Sequence, residues 1–226
     1  MKSQATARWE TLMARDGHQF AAYLAPATAT PRGAVVVLQE IFGVNEHIRS
    51  VTEQFAAAGY LTMAPALYDR IGRNLELGYG PQEIERARGH MLQLDAAKAM
   101  LDISAAVNVV HHAGRVALVG YCWGGQQAWI GAGMLPVQAA VGYYASRLWE
   151  KLNRVPACPM LFHFGARDAS IPADQLERVR AAYPEGHYYL YPADHGFNCS
   201  ARASYDAASA ALAWERTQDF LRQHIG

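Results

Sequence analysis

The length and charge of the chain exclude several classes of protein. Its 226 residues fit a single α/β domain, and 20 basic side chains balance 20 acidic ones, so no net field attracts polyanions. The first ten residues include charged side chains and no apolar stretch long enough for a secretory signal. We therefore expect one cytoplasmic domain over residues 1–226, with no nucleic-acid or membrane partner.

The cysteines and histidines indicate neither a disulfide framework nor a metal site. The chain has three cysteines, Cys122, Cys158 and Cys199. An odd number of cysteines in a chain long enough to bury a core favours free thiols. They lack the C-x-x-C spacing of zinc sites, and the nine histidines form no H-E-x-x-H pattern. We expect no bound metal.

The predicted elements begin at residues 16–24, where an Asp16-Gly17 turn signal and mixed polarity favour an antiparallel edge strand. Five short apolar runs then predict parallel strands buried on both faces, at 34–38, 116–119, 139–143, 160–164 and 188–191. Helix-like segments lie at 45–58, 96–112, 173–183 and 203–223. This alternation predicts the α/β class, with a mostly parallel, doubly wound sheet and helices on both faces.

Two regions need a separate interpretation. Residues 116–146 contain no Asp, Glu, Lys, Arg or His, but glycines, Pro136 and three glutamines divide them. We interpret them as strand, helix and strand rather than as a membrane span. Residues 69–93 are the least regular, with helix-like sequence at 83–94, and are predicted to form a lid or a pocket wall.

A candidate nucleophile lies where the strand at 116–119 runs into the sequence G-x-C-x-G-G. In a nucleophile elbow the central residue adopts a strained backbone conformation, and glycines two positions away, here Gly120 and Gly124, let strand and helix approach. The elbow places Cys122 at a helix N-terminus, which favours the thiolate. On this motif alone, a buried structural cysteine in a glycine-rich turn is an equal alternative.

Two further residues follow late strands, as the catalytic acid and base of an α/β-hydrolase do. Asp168 lies in a G-x-x-D loop after 160–164, and His195 follows 188–191. Singly, each would be an ordinary turn or loop residue. Because this fold carries nucleophile, acid and base in that chain order, the three together predict the α/β-hydrolase fold with a Cys122, Asp168 and His195 triad.

The strand at 34–38 leads into the loop Q-E-I-F-G at 39–43, where this fold recruits an oxyanion-hole amide. The backbone N–H groups of Ile41 and Trp123 are the candidate pair. Glu40 stands at the mouth of the strand, where a carboxylate either reaches the thiol or caps the helix that begins near Asn45.

The sequence resembles the dienelactone hydrolases, also called carboxymethylenebutenolidases. The matching segments are Q-E-I-F-G-V-N (39–45), P-A-L-Y (65–68), G-Y-C-W-G-G (120–125), V-G-Y-Y (141–144), G-A-R-D (165–168) and H-G-F (195–197). The resemblance implies Cys122 as nucleophile, His195 as base and Asp168 as the residue that orients it. It also implies that Glu40 lies beside the resting thiol and helps to generate the thiolate when substrate arrives.

The implied reaction is hydrolysis of a small ester or lactone through a thioester acyl-enzyme, with no cofactor. We expect the protein to act as a monomer or small homo-oligomer on a small-molecule substrate. The substrate-binding candidates are aromatic and basic side chains: Phe42, Tyr79, Arg86, Arg88, Tyr143 and Phe197.

The chain departs from the family pattern where the substrate is held. The best-known enzyme of the family binds its substrate's carboxylate with two arginines, one of them four residues after the catalytic histidine, and Cys199 stands at that position here. Arg86 and Arg88 are candidates for the second arginine. The identity of the substrate therefore stays open.

Two other functions also stay open. The same triad beside a neutral, apolar pocket of Phe42, Tyr79, Tyr143 and Phe197 would make a general carboxylesterase or thioesterase. A non-catalytic binding protein with the hydrolase fold would need no matched triad, so the presence of Cys122, Asp168 and His195 together argues against it.

Overall fold

A computed structural model describes residues 6–226, in which the chain forms eight strands and six α-helices. Residues 1–5, part of the segment considered above for a secretory signal, lie outside the described residues. The strands are β1 (Arg8–Met13), β2 (Gln19–Ala25), β3 (Ala34–Leu38), β4 (Leu61–Pro65), β5 (Val116–Tyr121), β6 (Ala139–Tyr143), β7 (Met160–Gly165) and β8 (His187–Tyr191). The helices are α1 (Glu46–Ala57), α2 (Pro81–Gln93), α3 (Ala96–Val110), α4 (Trp123–Ala132), α5 (Ala173–Ala182) and α6 (Ala207–His224).

The strands form a mixed, mostly parallel sheet in the order β1-β2-β4-β3-β5-β6-β7-β8. β2 runs antiparallel to β1 and β4, whereas β4 pairs parallel with β3 and the run from β5 to β8 is parallel throughout. Every residue of β3 to β7 is buried. The predicted α/β class and its mostly parallel sheet are confirmed. Burial on both faces is wrong for the predicted strand at 188–191, because β8 is the last strand of the sheet and buries only Tyr191.

The sequence predicts an antiparallel edge strand over residues 16–24. The strand is antiparallel, but it does not lie at the edge of the sheet. Asp16 and Gly17 do form the turn, but β2 starts at Gln19 and lies between β1 and β4. β1 is the edge strand on this side of the sheet, and neither β1 nor β4 is among the predicted strands. The reason is that β1 exposes many of its side chains, and Thr62 and Pro65 leave β4 without an unbroken apolar run.

The chain divides into two compact units, one reaching Val116 and including Ile225 and Gly226, the other spanning Ala117–His224. In the first unit, α1 and α3 pack on β3 and β4. Asn45 starts α1, because its Oδ1 accepts the Ile48 N–H at 3.2 Å. Gly43 adopts φ +81°, and a Cβ there would lie 2.0 Å from the carbonyl oxygen of Leu75, so residues 72–79 close tightly over the loop after β3.

In the second unit, α4 packs on β6, and α6 packs on β6 and β7. A buried polar chain joins these elements: His163 contacts Tyr191 Oη at 2.8 Å through Nδ1 and Thr217 Oγ1 at 2.9 Å through Nε2, and Thr217 contacts Tyr143 Oη at 2.7 Å. Burial lowers the pKa of His163 to about 3, so this ring is neutral at neutral pH. The network fixes the strands that carry the candidate catalytic loops.

The composition of residues 116–146 argues against a membrane span. Among the described residues, no helix combines the length and the apolar character that a membrane crossing requires.

Candidate active site

Cys122 occupies the sharp turn between β5 and α4. Its backbone has φ 52° and ψ −115°, a conformation that non-glycine residues adopt rarely, and it is the residue immediately before the first turn of α4. The Cys122 N–H donates to the carbonyl oxygen of Tyr143 at 2.9 Å, which holds the turn against the end of β6. The strained backbone that the elbow motif predicts is therefore present.

Close packing requires Gly120, one of the two predicted elbow glycines, and also the neighbouring Gly125. A Cβ on Gly120 would lie 2.0 Å from the carbonyl oxygen of Gly124, and a Cβ on Gly125 would lie 2.5 Å from Cβ of Ala145. Both distances are shorter than any real carbon contact. Glycine therefore lets α4 leave β5 steeply enough to present the Cys122 side chain, whose Sγ lies 3.8 Å from Ser146 Oγ.

Asp168 and His195 come together at the ends of β7 and β8. His195 Nδ1 lies 2.6 Å from Asp168 Oδ2, and the Asp168 side chain is fully buried. The other carboxylate oxygen accepts the Ser170 N–H at 2.8 Å. Ser204 Oγ donates to the His195 carbonyl at 2.7 Å. The imidazole is thus anchored by Asp168 and its loop by Ser204.

The charge of His195 is coupled to Cys122. Burial lowers the pKa of the imidazole, but the charge of Cys122 and the hydrogen bonds to Asp168 and Cys122 outweigh burial and raise it to about 10. The His195 imidazolium is thus stable well above neutral pH. The hydrogen bond to Cys122 leaves Nε2 as the nitrogen that faces the sulfur, since Nδ1 is held by Asp168.

Glu40 lies fully buried in the first unit, two residues after the end of β3. Tyr79 Oη donates to Glu40 Oε2 at 3.2 Å and accepts from Asn45 Nδ2 at 3.0 Å. Asn45, and not Glu40, supplies the side-chain cap of α1. The sequence left two roles open for Glu40. The capping role is filled by Asn45.

The other candidates on the loop after β3 form an apolar cluster. Phe42 is buried and packs edge-on against Tyr79, with ring centroids 4.6 Å apart. Ile41 packs against the same cluster, and its carbonyl accepts a hydrogen bond from Tyr68 Oη at 2.9 Å. This hydrogen bond anchors the peptide that follows Ile41.

The remaining predicted binding residues lie in three different settings. Arg86 and Arg88 are exposed on α2. Tyr143 is enclosed in the core, where its hydroxyl contacts Thr217 and the Ala213 carbonyl of α6. Phe197 is fully buried, with its ring 5.2 Å from that of Tyr191.

The irregular segment at 69–93 contributes to a cavity of about 260 Å³ in the first unit. The cavity is lined by Trp9, Ala21, Gln39, Val44, Ala66, Tyr68, Asp69, Asn74, Leu75 and Glu76. Four of these residues belong to the irregular segment, which supports its interpretation as a pocket wall.

Sequence reasoning missed Tyr144 as a neighbour of the histidine. Its ring centroid lies 5.1 Å from that of His195, with the planes at 63°. The V-G-Y-Y segment did single out two tyrosines, but Tyr143 was the one chosen as a candidate. The pleat of β6 turns Tyr143 into the core, and only the positive φ of Tyr144, 37°, brings the second ring to His195.

Comparison with known proteins assigns the chain to a family. The sequence profile of the Dienelactone hydrolase family matches residues 20–225. A carboxymethylenebutenolidase from Pseudomonas putida is 34% identical over 93% of this chain and 94% of its own length. Carboxymethylenebutenolidase 1 from Cupriavidus pinatubonensis is 33% identical, with the same coverage of 93% and 94%.

A solved structure gives the same result. A protein from Klebsiella pneumoniae subsp. pneumoniae, assigned by name to the dienelactone hydrolases, superimposes with a TM-score of 0.86 at 31% identity, covering 96% of this chain and 98% of its own. Sequence profile, curated relatives and solved fold agree over almost the whole chain. The chain is therefore a hydrolase with the α/β-hydrolase fold and belongs to the dienelactone hydrolase family.

Proposed function

We propose that this hydrolase cleaves a small ester or lactone with Cys122 as nucleophile, His195 as base and Asp168 as the residue that orients His195. The observation that carries the proposal is the arrangement in the second unit. A cysteine on a strained elbow is hydrogen-bonded to an imidazole whose far nitrogen lies 2.6 Å from a buried carboxylate. A structural cysteine needs neither the strain nor the histidine.

In the proposed acylation step the Cys122 thiolate attacks the acyl carbon, and the carbonyl oxygen becomes an oxyanion. The N–H groups of Ile41 and Trp123 are the proposed donors to that oxyanion. Collapse of the tetrahedral intermediate breaks the bond to the alkoxide, which takes the proton from His195, and leaves a thioester on Cys122.

In the proposed deacylation step neutral His195 takes a proton from water as the water attacks the thioester. The intermediate then expels the thiolate, and the imidazolium is restored beside it. Asp168 keeps the imidazole in the tautomer that this proton transfer requires. We also propose that Glu40 assists formation of the thiolate when substrate arrives, as in the family.

The substrate class is inferred from the relatives. Their name, carboxymethylenebutenolidase, describes proteins that open a butenolide, which is a lactone. We extend ester and lactone hydrolysis to this chain because the family profile covers residues 20–225. The same span includes both compact units, so we propose that they act as one hydrolase domain.

A general carboxylesterase or thioesterase with a neutral pocket is the second candidate. Two observations favour it: Cys199 is fully buried where the family's best-known enzyme has an arginine, and Arg86 and Arg88 are exposed on α2. A turnover screen of dienelactones against neutral esters and thioesters separates the two candidates.

The test of the proposed nucleophile is replacement of Cys122 by Ala, with Cys158→Ala as the matched control. Cys122→Ala should keep the fold and lose roughly 10³-fold or more in turnover of a small aryl ester, because no acyl-enzyme can form. Cys158→Ala should keep near-normal turnover. Retention of more than a few per cent of wild-type activity by Cys122→Ala, in enzyme freed of contaminating esterase, overturns the assignment.

A further inference from the structure

Tyr144 has a backbone conformation that a bulky aromatic residue seldom adopts. It follows β6 directly, has φ 37°, and is fully buried. For a large side chain, positive φ is a genuine outlier that persists only where the surroundings impose it. Here its N–H donates to the carbonyl oxygen of His163 at 2.6 Å, so the strained peptide is tied to β7.

This backbone conformation holds the ring against the candidate catalytic histidine. The Tyr144 and His195 centroids are 5.1 Å apart with the planes at 63°, and the Tyr144 and Phe197 centroids are 5.6 Å apart at 72°. Tyr121 lies on another side, with its centroid 6.1 Å away. The ring is therefore enclosed by aromatic neighbours and has little freedom to leave the imidazole.

The contact also affects charge. A cation that lies over the face of an aromatic ring, within about 6 Å of its centroid, is attracted by the ring, and the His195 centroid lies within that distance of Tyr144. Within the described part of the second unit, Cys122, Asp168 and Tyr144 contact the His195 ring. Asp194 is exposed and lies 3.7 Å from Arg167, and the Arg202 guanidinium packs against Gly196.

We propose that Tyr144 is a positioning residue of the active site: its ring fixes the orientation of the His195 imidazole and favours the imidazolium over the neutral ring. This inference rests on the proposed function, because it gives His195 the role of proton carrier for Cys122. The Tyr144 ring contacts the imidazole in addition to the hydrogen-bond partners Asp168 and Cys122. The strain at Tyr144 is the structural cost of that contact.

The test compares Tyr144→Asn with Tyr144→Phe. Asparagine tolerates positive φ and removes the ring, whereas phenylalanine keeps the ring. Tyr205→Asn, at an exposed tyrosine, is the control for the substitution itself. For each variant we would measure the rate of Cys122 alkylation by iodoacetamide against pH, and kcat/KM for a small aryl ester against pH.

We expect Tyr144→Asn to move the alkaline limb of kcat/KM to lower pH by about 0.3 to 1.5 pH units, and to shift the pH dependence of Cys122 alkylation in the same region, because the imidazolium loses its aromatic partner. Tyr144→Phe should restore most of the wild-type behaviour in both measurements, and Tyr205→Asn should match the wild type. If Tyr144→Asn does not fold, Tyr144→Leu, which fills more of the space without an aromatic ring, supplies the same comparison.

Unchanged pH profiles in a folded variant without the ring would overturn the inference. So would a Tyr144→Phe variant as impaired as Tyr144→Asn, because that result would assign the effect to the hydroxyl. Failure of the proposed function has a different signature: Cys122→Ala would then keep its turnover, whatever the Tyr144 variants do.

Discussion

The three thiols of the chain differ in exposure and in electrostatic surroundings, so their reactivities can separate the two effects. Cys122 and Cys158 are equally accessible, at 9% each, and Cys199 is fully buried. Burial raises the pKa of the Cys158 thiol to about 11, whereas Cys122 has an imidazolium partner and a helix N-terminus. Any difference in reactivity between Cys122 and Cys158 therefore reports their surroundings.

We predict that iodoacetamide alkylates Cys122 at least about tenfold faster than Cys158 near neutral pH, because the thiolate is the reactive form. Cys199 should react more slowly than either. Timed labelling followed by peptide mapping measures all three rates in one sample. Equal labelling of Cys122 and Cys158 would remove the electrostatic support for the site.

The pH dependence of turnover should follow His195. Its pKa is raised to about 10, so the imidazolium that pairs with the thiolate and protonates the leaving group is lost only as the pH rises through about 10. We predict that kcat/KM stays high from neutral pH until that region and then falls. A decline that begins near pH 6.5, the ordinary value for histidine, would contradict the coupling to Cys122 and Asp168.

Asp168→Asn is the control for this profile. It removes a hydrogen bond and a charge that raise the pKa of His195, so the alkaline limb should move to lower pH. Activity should fall on the order of 10⁴-fold, because the amide favours the wrong imidazole tautomer.

At the scale of elements, the elbow imposes the strictest packing requirement on the sequence. We predict that Gly120→Ala lowers the free energy of unfolding by more than about 3 kcal/mol, because the new Cβ would lie 2.0 Å from the carbonyl oxygen of Gly124. Gly89→Ala, inside α2 with no atom within 4 Å of the new Cβ, should stabilise the protein by up to about 1 kcal/mol. Urea unfolding measures both, and wild-type stability in Gly120→Ala would contradict the close approach of β5 and α4.

Elements whose residues carry a local signal could be predicted from the sequence. β3 and β6 have the predicted bounds, and α3 and α5 differ only at their last residues, because buried parallel strands and amphipathic helices have strong patterns. β1 and β4 could not, because their stability comes from pairing with β2 and β3 rather than from an apolar run of their own.

The same distinction holds for the candidate site. Asp168 and His195 could be proposed as partners because each lies in the loop after a predicted strand. Together with Cys122 they also follow the chain order of nucleophile, acid and base. The contact of Tyr79 with Glu40 joins residues 39 positions apart, and the contact of Tyr144 with His195 depends on one positive φ angle. Neither leaves a local trace in the sequence.

At the scale of the whole molecule, the open question is the charge of the substrate. A carboxylate held by a guanidinium is typically worth about 1.5 to 3 kcal/mol, or roughly ten- to more than a hundred-fold in kcat/KM. The resemblance to the family implies an arginine at the position of Cys199, and Arg86 and Arg88 are exposed. We therefore predict little discrimination between a carboxylate-bearing lactone and its neutral ester analogue.

Measurement of kcat/KM for this matched pair at low and moderate salt tests the prediction. A strong, salt-sensitive preference for the anionic substrate would contradict it. In that case Arg202→Gln, beside the His195 loop, and the double variant of Arg86 and Arg88 would identify which cation is responsible.

The central claim is that the reaction passes through a thioester on Cys122, and trapping that intermediate tests it most directly. The enzyme would be mixed with a small aryl ester, quenched in acid within the first turnover, and digested for mass spectrometry. We predict an acyl group on the Cys122 peptide in wild-type enzyme, and none on any peptide of Cys122→Ala. An acyl group on another residue, or full turnover by Cys122→Ala, would contradict the account.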